Sequence, residues 1–366
     1  MKMHIFKLLL ILLMPSEKPA PPQADELSGR HTESKEIRRN YQVSPNALLE
    51  IENKYGEIDI TTWDQDKVEM VVTLKTNGND KEAVQKRLEE LDVIFKNSPS
   101  RVSAKTYLES SRNSFFSWFR GSGNVNIEIN YKIKAPVGIN LNLENDYGSV
   151  NIDRLEGNAN ISVDYGQLLV GELMGDDNVI EMDYTRNSKF GYIRKGSIEA
   201  DYSDYTIEEA GMLNISADYS NTKVRKVEFL EFSCDYGSID VGQVKNIKGD
   251  GDYLSTTIDS VYGSLDLNLD YGSATIRQMM RNMESLTINS DYTTLKIGYF
   301  PDSSWRYRLN SSYAGIRGID QAAFNNLKQH QSGSKRYYEG YHNSDSGAVV
   351  TIDASYGGIN FSPINQ

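Results

Sequence analysis

Nine aspartates recur at one position along the chain: Asp146, Asp164, Asp183, Asp201, Asp218, Asp235, Asp252, Asp270 and Asp291. Each is followed directly by a tyrosine, and the spacings run 18, 19, 18, 17, 17, 17, 18 and 21. If each repeat supplies one layer of a stacked sheet, neighbouring carboxylates lie ~4.8 Å apart. Two such charges repel by about 1 kcal/mol in water and by several times that near a protein surface, so something must offset the repulsion. The expected arrangement is an Asx-turn, in which each carboxylate accepts hydrogen bonds from backbone N–H groups of its own turn. The alternative is a cation ladder, with Ca²⁺ held by oxygen ligands between adjacent carboxylates. Basic neighbours or raised carboxyl pKa values are the remaining ways out.

Two other groups of residues carry chemistry. Phe115, Phe116, Trp118 and Phe119 fall within six residues, followed by Gly121-Ser122-Gly123. Four aromatics at a loop tip would anchor to lipid or to a partner protein; otherwise they fold back onto neighbouring structure. Lys335-Arg336-Tyr337-Tyr338, with Tyr341 and His342, combines basic and aromatic side chains suited to a sugar or an anion, against the plainer reading of a solvated loop. Cys234 is the single cysteine, so there is no internal disulfide and no CxxC or zinc-ribbon site. No histidine lies near it in sequence, and its place in the pattern below is that of a buried structural thiol. The chain has no GxSxG, HExxH or P-loop, and no carboxylate pair stands apart from the repeat. No enzymatic activity, catalytic residue or obligatory cofactor is therefore expected.

The composition restricts the partners. The chain has 366 residues and a net charge of −12, with 39 Lys+Arg against 51 Asp+Glu, which argues against a partner held by phosphate contacts such as nucleic acid. At 39% hydrophobic residues, it suits an elongated protein with much surface rather than one deep core. Lys2, His4 and Lys7 precede the apolar run Leu8–Met14, which is too short to span a bilayer and reads as a secretory signal segment over 1–14. Export to the periplasm or cell surface follows, and no later apolar run is long enough for a membrane span. Residues 15–43 read as a disordered linker.

The elements that place the aspartates come from the same repeat. Lys54-Tyr55, Ser312-Tyr313 and Ser355-Tyr356 are degenerate copies, making twelve. Before the Asp stand pairs such as Ile161 and Val163, Ile198 and Ala200, or Phe232 and Cys234. After it stand Val150 and Ile152, Leu168 and Val170, or Ile239 and Val241. Both flanks alternate with period two, the mark of strands with one buried face. Two short strands cannot bury their apolar faces alone, but stacked copies can. The predicted fold is all-β: a single-stranded parallel β-solenoid of about twelve rungs, two strands per ~18 residues, forming a rod ~58 Å long. An up-and-down barrel is the other all-β reading, but it gives no reason for one dipeptide to keep to one column. By parity the aspartates point outward and the tyrosines point inward at the corner, stacked on one another.

The 92 residues between Tyr55 and Tyr147 contain an insertion. It reads as a strand over 68–75, a helix over 80–95, and two strands of a hairpin over 101–108 and 125–134, the second ended by Pro136. The expected organisation is a first rung over 44–63, a capping insertion over 64–140 and solenoid repeats over 141–318. A second insertion over 319–346 and a final rung over 347–366 complete it. The insertions would cover the open ends of the stack.

These features resemble the bacterial putative-adhesin domains of unknown function found in cell-envelope proteins of Bacteroidetes-type organisms. The likeness rests on Lys54-Tyr55-Gly56-Glu57-Ile58-Asp59-Ile60, then Trp63-Asp64, a strand like Lys67–Leu74, a helix, and the turn Ala135-Pro136-Val137-Gly138. Repeats such as Asp146-Tyr147-Gly148-Ser149-Val150 follow, and the likeness covers roughly 44–362. The family's usual turn is Ser-Gly-Asp or Asn-Gly-Asp, where this chain has Asp-Tyr. The resemblance implies fold and envelope location. The expected function is a non-catalytic scaffold or adhesion module binding an envelope protein or polysaccharide. The competing reading is a carbohydrate-active β-helix enzyme or a polysaccharide-binding protein.

Overall fold

The computed structural model describes residues 28–108, 125–319 and 322–364. The segment expected to be a secretory signal, 1–14, and the aromatic residues Phe115, Phe116, Trp118 and Phe119 lie outside them. The described chain is almost entirely β, organised as one long, mostly parallel, unclosed sheet of solenoid-like character. Alternation dictates this. Asn140–Asp146 buries Leu141, Leu143 and Asn145 and turns the residues between them outward. Each strand then pairs in parallel with its copy one repeat on, which keeps like residues in columns: Asp146 opposite Asp164, Asp164 opposite Asp183, Asp183 opposite Asp201.

In the middle of the chain the strands are longer than the expected pairs of short ones. Asp204–Asp218, Asn221–Asp235 and Ser238–Asp252 each run 15 residues. In the first of these the buried positions are Tyr205, Ile207, Ala210, Leu213, Ile215 and Ala217. Two adjacent residues face outward at 208–209 and again at 211–212, so the strand bends twice without losing its ladder. The second corner is therefore a bend within a strand. The interior is a continuous stack of aliphatic side chains from Ile51 to Phe361. At Gly249 a β-carbon would lie 2.0 Å from the Phe232 ring, so the large side chain of one layer fills the room left by the small one of the next.

The amino-terminal end departs from the sequence reading in three places. His31–Gln42, expected as linker, is strand β1, paired antiparallel with β4 (Lys67–Gly78). The helix expected over 80–95 is α1 (Lys81–Glu89), capped by Asp80, whose side chain accepts from the N–H groups of Glu82 and Ala83. Leu91 and Phe95 belong instead to the following strand, Leu91–Ser98. Four apolar residues fit helical spacing, but Leu91 and Val93 are buried at strand spacing. The strands Arg101–Leu108 and Val125–Pro136 do not pair as a hairpin. They lie parallel on Leu48–Lys54 and Ile58–Trp63 respectively, and so extend the two columns by one more layer.

At the other end, chain order and stacking order part. Ala348–Ser355 pairs with Ser285–Asp291 on one side and with Trp305–Ser312 on the other. The last repeat in sequence is thus the penultimate in space. Phe324–Ser332 and Lys335–His342 form an antiparallel hairpin that continues the sheet from Trp305–Ser312. Beneath it Tyr299, Trp305, Tyr307, Phe324, His342 and Phe361 pack edge to face or stacked, closing the core with aromatic rings.

Candidate functional site

The corner that follows each aspartate is the most regular surface of the molecule. Its tyrosine has positive φ in every copy, from 50° at Tyr292 to 64° at Tyr55. This left-handed conformation costs a non-glycine residue roughly 1–2 kcal/mol. It also reverses the direction of the side chain, because parity holds only while every residue is extended. The tyrosines therefore point outward, not inward as parity predicts. Tyr147 is 40% exposed and Tyr313 65%. Their rings still stack: eleven successive contacts join Tyr55 to Tyr313, with centroids 4.7–5.3 Å apart and planes within 10°. Each tyrosine N–H donates to the carbonyl of the next layer, as Tyr219 does to Asp235 at 2.9 Å.

The residue after the tyrosine is glycine or a hydroxyl residue in every copy but two, Leu254 and Ala314. Where it is glycine, the next layer's backbone leaves no room for a side chain: a β-carbon on Gly148 would lie 1.8 Å from the Gly56 carbonyl oxygen. Where it is Ser203 or Ser220, the hydroxyl takes up backbone groups instead. The Ser203 hydroxyl accepts from the Thr185 N–H and donates toward the Met182 and Asp201 carbonyls.

The aspartates face outward in one column, as expected, but their donor differs from the Asx-turn reading. The carboxylates accept from the backbone N–H of the aspartate in the next layer: Asp201 from Asp218 at 3.4 Å, Asp218 from Asp235 at 3.3 Å, Asp235 from Asp252 at 2.8 Å and Asp270 from Asp291 at 3.1 Å. In-register parallel pairing brings that N–H closer than those of the residue's own turn. One end of the column is neutralised by Lys54, whose ammonium lies 2.8 Å from Asp146. Within the column, burial and then the charges of Asp183 and Asp146 push the Asp164 carboxyl up to about 6. Asp183, Asp218 and Asp252 are also raised, burial being the leading cause in each. Among the described residues, no group of three or more His, Cys, Asp or Glu is placed to hold a metal ion.

The remaining sequence candidates separate. Cys234 is buried, and burial pushes its thiol up to about 12, the reverse of an activated nucleophile. Of the basic–aromatic segment, Lys335–His342 is a strand rather than a loop. His342 is buried in the aromatic cluster, its Nδ1 2.7 Å from the Ser303 carbonyl, and burial lowers its pKa. Tyr337 is half-buried, with its hydroxyl donating to Glu339. A groove beside this strand was not legible in sequence, because the out-of-order last layer forms part of it. No described helix is long and apolar enough to cross a membrane.

Fold and site together define a solenoid-like β protein with an exposed, periodic corner. No family model matches the chain and no curated protein matches it. Among solved structures it is similar to a putative adhesin from Parabacteroides distasonis, at 9% identity over 90% of this chain and 97% of that one, TM-score 0.36. It is also similar to a putative adhesin from Bacteroides fragilis, at 12% identity over 90% and 97%, TM-score 0.30. A third is a putative cell adhesion protein from Clostridium sporogenes, at 10% identity over 91% and 100%, TM-score 0.19. These are the same kind of protein as the family that the sequence resembles.

Proposed function

We propose that this chain is a non-catalytic β-solenoid of about twelve short rungs, exported to the periplasm or cell surface, where it serves as a scaffold or adhesion module. The observation that carries this reading is the exposed tyrosine column. All twelve copies keep tyrosine at a left-handed position where glycine or asparagine would relieve strain. Three of them, at Tyr55, Tyr313 and Tyr356, keep it where the aspartate is lost. Tyrosine offers a large amphipathic contact at low entropic cost, which is why binding surfaces are rich in it. A rigid ladder of such side chains beside a column of carboxylates suits an envelope protein or polysaccharide as partner.

The test is capture from solubilised envelope fractions by the full-length protein and by a variant with Tyr202, Tyr219, Tyr236 and Tyr253 replaced by glycine. The parent should retain a partner that the variant loses while remaining folded. Turnover of any acidic or neutral polysaccharide, abolished by substitution of a single Asp or Lys, would replace this reading with an enzymatic one.

A further inference from the structure

We propose that the groove at the carboxy-terminal end of the sheet binds a neutral glycan chain. The proposal rests on the interaction-module reading and names a site and a ligand class for it. The groove encloses about 620 Å³, within the usual range for small-ligand sites. Its floor is one transverse row of outward side chains, Asn268, Asn289, Asp353 and Asn310, brought side by side by the strand registers. The same row continues onto the hairpin as Tyr337 and His330. A parallel row carries Asp270, Asp291, Ser355, Ser312 and Lys335.

This is where the carboxylate column ends. The two layers beyond Asp291 carry serine, and the next strand carries Lys335. The lining therefore mixes acceptors (Asp270, Asp291, Asp353) with donors (Lys335, Arg336), amides that do both, and an aromatic ring. Lys335 has no ion-pair partner among the described residues. Sugar hydroxyls donate and accept at once, so a lining of both kinds can satisfy them from either side. An anionic chain would meet three carboxylates on the floor. A cationic one would meet Lys335 and Arg336.

Tyr337 supplies what the ladder tyrosines cannot. Between Tyr147 and Tyr356 both ring faces are covered by neighbours at about 5 Å, leaving only edges. Tyr337 is outside that stack and is fixed by its hydroxyl on Glu339, so its ring is available to pack against a pyranose face. Asn310 beside it is held by donating from its amide to Asp353 at 2.6 Å, which orients its carbonyl toward the remaining partners.

The isotope-labelled full chain is titrated with cellohexaose, laminarihexaose and hexa-N-acetylchitohexaose as neutral chains, and with hexagalacturonate as an anionic one. At least one neutral chain should shift the side-chain amide resonances of Asn268, Asn289 and Asn310. Tyr337→Ala should weaken that binding ~10-fold, Tyr337→Phe should retain it, and Glu209→Gln, away from both the groove and the corner, should leave it unchanged. Thermal melts of each variant separate lost binding from lost structure. The proposal fails if no neutral chain shifts these amides, if Tyr337→Ala binds as the parent does, or if hexagalacturonate alone binds. Envelope capture that persists in the Tyr337→Ala protein while no glycan binds would sink the groove and leave the module reading intact.

Discussion

Charge is arranged in opposite ways in the aspartate column and in the columns around it. After the corner, neighbouring layers alternate in sign: Arg225 lies 2.9 Å from Glu208, Lys226 2.7 Å from Glu209, Arg277 2.9 Å from Asp259, and Arg154 bridges to Glu172. Before the corner, Lys248 and Lys105 pair with Glu231 and Glu52 in the same way, but in the column next to the tyrosines nine aspartates follow one another with a single lysine at one end. In-register stacking sets every residue beside its own copy, so a like-charged column is the arrangement that costs most, and alternation relieves it. The side that serves only the stack has taken the relief. The corner column, with its identical carboxylates and left-handed tyrosines, has not. That contrast is the physical ground for placing function at the corner.

The comparison can be broken at several points. The largest effect belongs to neither side but to the core they share. Ile239 is fully buried, and Ile239→Asp should cost about 4 kcal/mol or more, because it buries an unpaired carboxylate. A variant that melts with the parent would show the assigned register to be wrong. Next comes the tyrosine column. Tyr236→Ala keeps the left-handed strain and loses two ring contacts, whereas Tyr236→Gly loses the contacts and the strain together. The alanine variant should be the less stable by ~1 kcal/mol in chemical denaturation, and equal stability would remove strain from the account.

The carboxylates should respond more weakly and with the opposite sign. Asp218→Asn and Asp235→Asn keep an acceptor for the next layer's N–H and remove repulsion, so they should be neutral or stabilising by ~0.5 kcal/mol. EDTA should leave the melting temperature unchanged. A chelator-induced fall of several degrees, restored by Ca²⁺, would make the column a metal site. The pH dependence follows from Asp164. Its carboxyl is raised to about 6 in the fold, against ~3.9 when unfolded. The folded state therefore binds the proton more tightly, and the penalty is complete above about pH 6 and removed as pH falls toward about 3. The advantage of Asp164→Asn over the parent, ~2 °C in melting temperature at pH 7.5, should shrink by roughly two-thirds at pH 4.5 and vanish only at about pH 3. The smallest effect lies on the alternating side, where Glu209→Lys sets two lysines side by side and should cost under ~0.5 kcal/mol, relieved by salt.

How far the sequence speaks depends on what each signal encodes. Period and alternation placed the strands, the outward aspartates and the buried Cys234, because burial imposes them directly. The direction of the tyrosines was hidden, since sequence does not display φ and no glycine marks the left-handed residue. Asp204-Tyr205 makes the point: the same dipeptide, three residues out of phase, buries Tyr205, whose hydroxyl accepts from Thr222. The strand at His31–Gln42 was missed because it is polar on both faces and is recruited by its partner β4. The groove was out of reach, because Asn289, Asp353 and Asn310 become neighbours only through the inserted final layer.

That inserted layer also limits how such a chain can grow in evolution. A tandem duplication adds its new unit beside the old one, which is harmless where each unit already touches its sequence neighbours. Between Asp201 and Asp252 the period is a constant 17 residues, and gaining or losing one unit there changes only the height of the column. At the carboxy-terminal end the last segment is clasped between two others, and a copy placed beside it in sequence would have no free shelf to occupy. Length variants among descendants of this gene should therefore differ in the middle and share their final sixty residues or so, a closing piece fitted once and inherited whole.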